Sequence, residues 1–193
     1  MKRITVYCGS NDGKDPVYKA QALLLGRTLA KRNIELVYGG AHVGLMGAIA
    51  DGALTEGGRV TGVLPHFLRD KEIAHERLTE LLLVNTMSER KIKIEEMADG
   101  IIALPGGYGT LDELFETLTN AQLQLHQKPV GLLNTGGFYD GLVQLLDTMT
   151  TGGLLKEVNR NMLLVSNDID ELLDKMYNYT PPTESKWIQE KTN

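Results

Sequence analysis

Short runs of branched aliphatic residues alternate with longer segments of helical character over almost the whole chain, and this alternation limits the fold more than any other feature. A chain that passes repeatedly from strand to helix and back builds stacked βαβ units around a parallel sheet. Candidate strands fall at residues 4–8, 34–38, 60–64, 81–85, 100–104, 130–133 and 163–165. Most are continuous apolar runs, as parallel strands covered on both faces require. Asp15-Pro16 supplies an N-cap and a proline at the first helical position, opening a helix to about residue 31. Further helices are expected at 44–55, 88–98, 110–125, 139–150 and 168–177. The expected architecture is α/β: a single-domain, Rossmann-like, doubly wound parallel sheet of about seven strands with helices on both faces. It occupies residues 1–180, with a polar tail at 181–193 in which Trp187 is a candidate anchor.

The chain has 193 residues, 42% of them hydrophobic, enough for one sizeable core, and it shows no internal repeat. A formal charge of −5 argues against nucleic acid as a partner, because affinity for a polyanion comes from many Lys and Arg contacts to phosphates. A small anion held by a few local groups remains compatible. The single Cys8 forms no internal disulfide, and no Cys/His cluster has metal-ligand spacing. The two basic residues at the start lead into an apolar run that stops at Gly9, too short for a signal-peptide core. No apolar stretch approaches the roughly 20 residues of a membrane span. These features together suggest a soluble protein of the reducing cytoplasm with no membrane partner.

In an open parallel sheet, ligands bind beyond the carboxyl ends of the strands. Four loops leaving those ends are unusual: Cys8-Gly9-Ser10-Asn11-Asp12-Gly13, the glycine-rich residues 39–47, Thr86-Met87-Ser88-Glu89-Arg90-Lys91, and Pro105-Gly106-Gly107-Tyr108-Gly109-Thr110. In the last, the glycines let backbone N–H groups approach an anion, the following helix adds its partial positive charge, and the Thr110 hydroxyl adds a donor. Gly106, Gly107, Tyr108, Gly109 and Thr110 are therefore candidate phosphate contacts, although such loops also serve as plain tight turns. Glu113 follows Thr110 at capping-box spacing, so it is either a cap or a carboxylate aimed at the anion site. Arg90 and Lys91 begin a helix, where cations oppose the macrodipole at about 0.3–1 kcal/mol each. Either an anionic ligand or a surface ion pair with Glu89 or Glu95 offsets that cost. Ser10 in the first loop is a candidate substrate contact, and Gly39, Gly40 and Gly44 in the second are candidate contacts for ribose or base. The glycines serve equally well to bring helix and sheet close together. Met46 reads as core, His42 as exposed, His66 and His126 as without partners, and Cys8 as a small buried side chain with no base beside it.

Two of these motifs together, Pro-Gly-Gly-x-Gly-Thr-x-x-Glu at Pro105 to Glu113 and Met-x-x-Arg-Lys at Met87 to Lys91, resemble the Lonely Guy family. Its members are cytokinin riboside 5′-monophosphate phosphoribohydrolases, long catalogued as possible lysine decarboxylases. The likeness runs from Gly9-Ser10 through His126-Gln127-Lys128-Pro129. It implies that Arg90 and Glu113 are the catalytic pair and that Gly106 to Thr110 hold the phosphate. It further implies Glu72, Met87, Lys91 and Thr119 as substrate contacts, a nucleoside 5′-monophosphate as the small-molecule partner, no metal or organic cofactor, and a homodimer. Ser88 and Asn120 depart from many relatives and are expected to reshape the base pocket. A non-catalytic nucleotide-binding module is the alternative. A lysine decarboxylase would need pyridoxal phosphate on a Schiff-base lysine, whose signatures are not evident.

Overall fold

A computed structural model describes residues 1–69, 71 and 73–182. Seven strands form one all-parallel sheet: β1 Arg3–Tyr7, β2 Glu35–Tyr38, β3 Val60–Pro65, β4 Glu80–Val84, β5 Gly100–Ala103, β6 Val130–Leu133 and β7 Leu163–Ser166. Their order across the sheet is β4-β3-β2-β1-β5-β6-β7. The helices are α1 Pro16–Lys31, α2 Gly44–Thr55, α3 His66–Arg69, α4 Met87–Met97, α5 Tyr108–Gln122, α6 Asp140–Thr151, α7 Glu157–Arg160 and α8 Ile169–Tyr177. Each expected strand is present to within about a residue at each end. The one-turn helices α3 and α7 and the 3-10 turn Thr135–Gly137 are additions, too short to leave a helical period in the sequence.

Alternation along the strands splits the core in two. Ile4, Val6, Leu36, Tyr38, Ile102 and Leu104 pack under α1, α2 and α8. Thr5, Tyr7, Val37, Val63, Ile101 and Ala103 point the other way, toward α4, α5 and α6. The Asp15 side chain accepts from Val17 N, so the expected cap and proline start of α1 are present. Thr86 caps α4: its hydroxyl accepts from Glu89 N at 3.1 Å, while the Glu89 carboxylate accepts from Asn85 N at 2.8 Å. Leu114, fully buried, anchors α5 over Ala103 and Leu132.

Strand order reverses direction between β1 and β5, so α1 leaves to one face and α5 to the other. The crevice beyond the carboxyl ends of these two strands is the ligand site of doubly wound sheets. Backbone bonds lace its floor: Gly9 N donates to Pro105 O at 3.0 Å, Leu104 N to Tyr7 O at 2.9 Å, and Leu45 N to Gly9 O at 3.1 Å. Pro181 and Pro182 carry no regular structure, and the tail beyond them, including Trp187, lies outside the described residues.

Candidate active site

The crevice holds a cavity of about 430 Å³ bounded by the loops after β1 and β5 and by the first turns of α4 and α5. The cap at Thr86 places Arg90 one turn into α4, facing the sheet, where it is 9% exposed. Its Nε donates to Val63 O at 3.0 Å and its Nη1 to Glu113 Oε1 at 3.3 Å. A Cβ on Gly39 would lie 1.8 Å from Arg90 Nη2, so the end of β2 runs directly against the guanidinium. Three elements therefore fix this side chain. The surface ion pairs considered for it, with Glu89 or Glu95, do not form.

Glu113 settles differently from a cap. Helix α5 begins at Tyr108 with Gly107 as N-cap, so Glu113 falls in the second turn, beyond the reach of the unpaired first-turn N–H groups. The capping reading of Glu113 is thus corrected. Thr110, in the first turn and 3% exposed, turns inward instead: a Cβ on Gly106 would lie 2.1 Å from its Oγ1. The Glu113 side chain is 12% exposed. Burial pushes its carboxyl above the ordinary range; the Arg90 charge pulls it back, Asp112 and Glu116 push it up, and Lys91 lowers it, the net direction being upward.

The start of α5 is suited to an anion. Gly106, Gly107, Tyr108, Gly109 and Thr110 all line the cavity, and no acidic residue occupies the first turn of the helix. Its leading N–H groups have no intrahelical partner and carry the positive end of the dipole. Lys91 stands at the rim, with Nζ 2.5 Å from Glu116 and 3.1 Å from Asp112. The hydrogen bond to Glu116 leads the causes that raise its ammonium above the ordinary value.

Ser10, Gly39 and Met87 also line the cavity. Gly40 and Gly44 do not. Gly40 has φ +77° and faces Leu64 and Leu81, while Gly44 has φ +59° and presses on the backbone of Ser10 and Asn11, so both shape the loops instead. Thr119 is exposed about three turns along α5, with its hydroxyl on Phe115 O, away from the cavity of this chain. Glu72 lies outside the described residues. Neither Ser88 nor Asn120 reaches the cavity; the Asn120 amide donates to Glu95. Cys8 is buried, and burial pushes its thiol up. His42 is exposed, as expected. His126, by contrast, has partners: its Nε2 lies 3.1 Å from Thr117 O and 4.0 Å from Glu95 Oε2.

Sequence reasoning missed Tyr7, Tyr18, Asp112 and Phe138 as cavity walls and assigned Met46 to the core alone, although it also borders the cavity. The strand-end rule could have found Tyr7, the last residue of β1, and Phe138, in the loop after β6. That loop carries no anion-binding signature to single it out. Among the described residues no group of three or more His, Cys, Asp or Glu is placed to hold a metal ion, and no helix is long and apolar enough to cross a membrane.

Comparison with known proteins matches residues 46–176 to the family described as possible lysine decarboxylase. A cytokinin riboside 5′-monophosphate phosphoribohydrolase of Arabidopsis thaliana, LOG7, is 43% identical over 182 residues, covering 94% of this chain and 83% of that protein. The enzyme of that name from Oryza sativa subsp. japonica, LOG, is 45% identical over 185 residues, covering 95% and 76%. The X-ray structure of a Northeast Structural Genomics Consortium target superposes with a TM-score of 0.70 at 28% identity, over 93% of this chain and all of that one. A molybdenum cofactor binding protein from Rippkaea orientalis reaches the same TM-score at 22% identity, covering 92% and 96%, and shares the fold.

Proposed function

The chain belongs to the Lonely Guy family, the one described as possible lysine decarboxylase, and from that premise we propose that it hydrolyses the N-glycosidic bond of N6-modified adenosine 5′-monophosphates. The products are the free base and ribose 5-phosphate. The observation that carries this reading is the buried Arg90–Glu113 pair in the wall of a cavity that opens onto a glycine-rich helix start. A module that only held nucleotides would need the helix start but not a desolvated carboxylate beside it.

Cleavage between C1′ and N9 builds positive charge on the sugar and negative charge on the departing base. Glu113 stabilises the oxocarbenium-like ribose and takes a proton from the attacking water. Arg90 holds the substrate and offsets negative charge. The amides of Gly107 to Thr110 and the Thr110 hydroxyl grip the 5′-phosphate, with Lys91, Met87, Ser10 and Gly39 around the rest of the nucleotide. Phosphate anchoring of this kind positions the reacting centre, so nucleotides are favoured over nucleosides. Thr119 faces outward from α5, so its part as a substrate contact calls for a second copy of the chain; a cytoplasmic homodimer with one catalytic domain over residues 1–180 completes the proposal.

Amino-acid decarboxylation fits the cavity poorly. Among the described residues Lys91 is the one lysine lining it. A Schiff-base lysine needs a depressed pKa, whereas two carboxylates push this ammonium the other way.

The reading is tested by incubating the protein with N6-isopentenyl-AMP and with AMP and separating the products by chromatography. Free base and ribose 5-phosphate in equal amounts are expected; nucleotide recovered intact would overturn it. Gly39→Ala offers a second check. The added methyl would occupy the space of Arg90 Nη2, and since the backbone of Gly39 tolerates a side chain, the guanidinium must give way. Base release should fall by at least about tenfold, because an ångström of misplacement is costly at a reacting centre, while the circular dichroism spectrum stays that of wild type.

A further inference from the structure

The Arg90–Glu113 pair is one of three rungs joining α4 to α5; Lys91 makes a second at the exposed rim, to Asp112 and Glu116, and the third, partly buried, lies farther along. Glu113, Thr117 and Asn120 share one stripe of α5 at helical spacing. Farther along that stripe, Glu95 of α4 receives the Thr117 hydroxyl at 3.3 Å and the Asn120 amide at 3.2 and 3.3 Å. Thr117, 1% exposed, also has its hydroxyl 3.2 Å from the phenol of Tyr7, a residue that lines the cavity. A threonine hydroxyl carries one proton. Given to the Glu95 carboxylate, that proton leaves the hydroxyl to accept from Tyr7, so the chain of donors runs from Tyr7 through Thr117 to Glu95.

His126 closes the lower end. Its Nδ1 accepts from Lys128 N at 3.2 Å, so Nε2 carries the proton and donates to Thr117 O at 3.1 Å. The Lys128 ammonium donates to the Glu95 carbonyl. Thr117 is thus held from the sheet, from α4 and from the segment after α5. Burial keeps the Tyr7 phenol protonated and hence a donor; the Thr117 bond works against that, and the charges of Glu113, Glu95 and Glu116 support it.

We propose that Thr117 is a positioning residue for the reaction: clamped between Tyr7 and Glu95, it sets the rotation of α5 about its axis and thereby the place of the Glu113 carboxylate one turn away. A helix with its side chains is about 10–12 Å across, so a 10° turn moves a carboxylate by about 1 Å. Such a displacement lies in the range that costs up to a hundredfold in rate. The proposal rests on Glu113 being the catalytic carboxylate.

The test compares Thr117→Val, which keeps the volume and removes the hydroxyl, with Thr117→Ser and Glu95→Gln, which keep a donor and an acceptor in place. With N6-isopentenyl-AMP, the valine variant is expected to lose at least about tenfold in kcat with KM within about twofold of wild type. The serine and glutamine variants should keep kcat within about threefold of wild type. Wild-type kcat in Thr117→Val would overturn the proposal, and so would an equal loss in Thr117→Ser, which would make the position a matter of packing volume. Wild type and Glu113→Gln are assayed alongside. Base release by wild type, lost in Glu113→Gln but intact in Thr117→Val, refutes the positioning role alone; no release by wild type refutes the reading of the reaction beneath it.

Discussion

Glu113→Gln is expected to slow release of the free base by about a thousandfold while leaving AMP bound within about threefold of wild-type affinity, measured by steady-state assay and titration calorimetry. The amide keeps the size of the side chain and an oxygen for the Arg90 Nη1 donor now 3.3 Å away, but it takes no proton from water. Phosphate recognition at the start of α5 is untouched. The pH profile carries the same signature. Burial raises the Glu113 carboxyl more than Arg90 lowers it, and a base must be ionised to act. The wild-type rate should therefore climb with pH through an apparent pKa above the ordinary glutamate value of about 4.3, a limb absent from the variant. Stability has the opposite sign. The folded chain holds this proton more tightly than the unfolded one, so the contribution is fully present below about pH 4.3 and is lost as pH rises through the folded value.

Arg90→Ala should be the most damaging single change, because it affects both chemistry and fold. It removes the donor of Val63 O and the partner of a carboxylate whose side chain is 12% exposed. Breaking one side of a buried ion pair costs about 3–5 kcal/mol, less in so far as Glu113 protonates. For a chain of this size, about 2–4 °C of melting temperature goes with each kcal/mol, so a drop of roughly 10 °C is expected by differential scanning calorimetry. Base release should fall by at least about a hundredfold. Arg90→Lys separates the two effects: it restores charge beside Glu113 but not the planar fork that reaches Val63 O and Glu113 together. Its melting temperature should recover more than its activity.

The sheet was legible because each strand is a compact apolar run and each junction carries its own punctuation: Asp15-Pro16 before α1, Thr86 with Glu89 before α4, and glycines at the exits of β2 and β5. The strand-end rule then pointed to four loops, and the switch between β1 and β5, visible only in the folded strand order, singles out the crevice among them. What spacing left open at Glu113 depended on a start two residues ahead of Thr110. A glycine N-cap leaves no side-chain mark, and Thr110, which looked like the cap, turns inward against Gly106. Arg90 and Glu113 were each visible as candidates, but their meeting is a property of helix packing, not of either local pattern. The same holds for Asn120 and His126, whose partner Glu95 lies on another helix. Tyr7 escaped notice because the last residue of a buried strand reads as core until the neighbouring loops show that it borders a cavity.

The crystal structure of Glu113→Gln grown with AMP bears most directly on the account. It should show the phosphate oxygens about 3 Å from the amides of Gly107 to Thr110, with C1′ of the ribose facing both the guanidinium of Arg90 and the side chain at position 113. A nucleotide seated elsewhere, or one whose C1′ faces away from both groups, would contradict it.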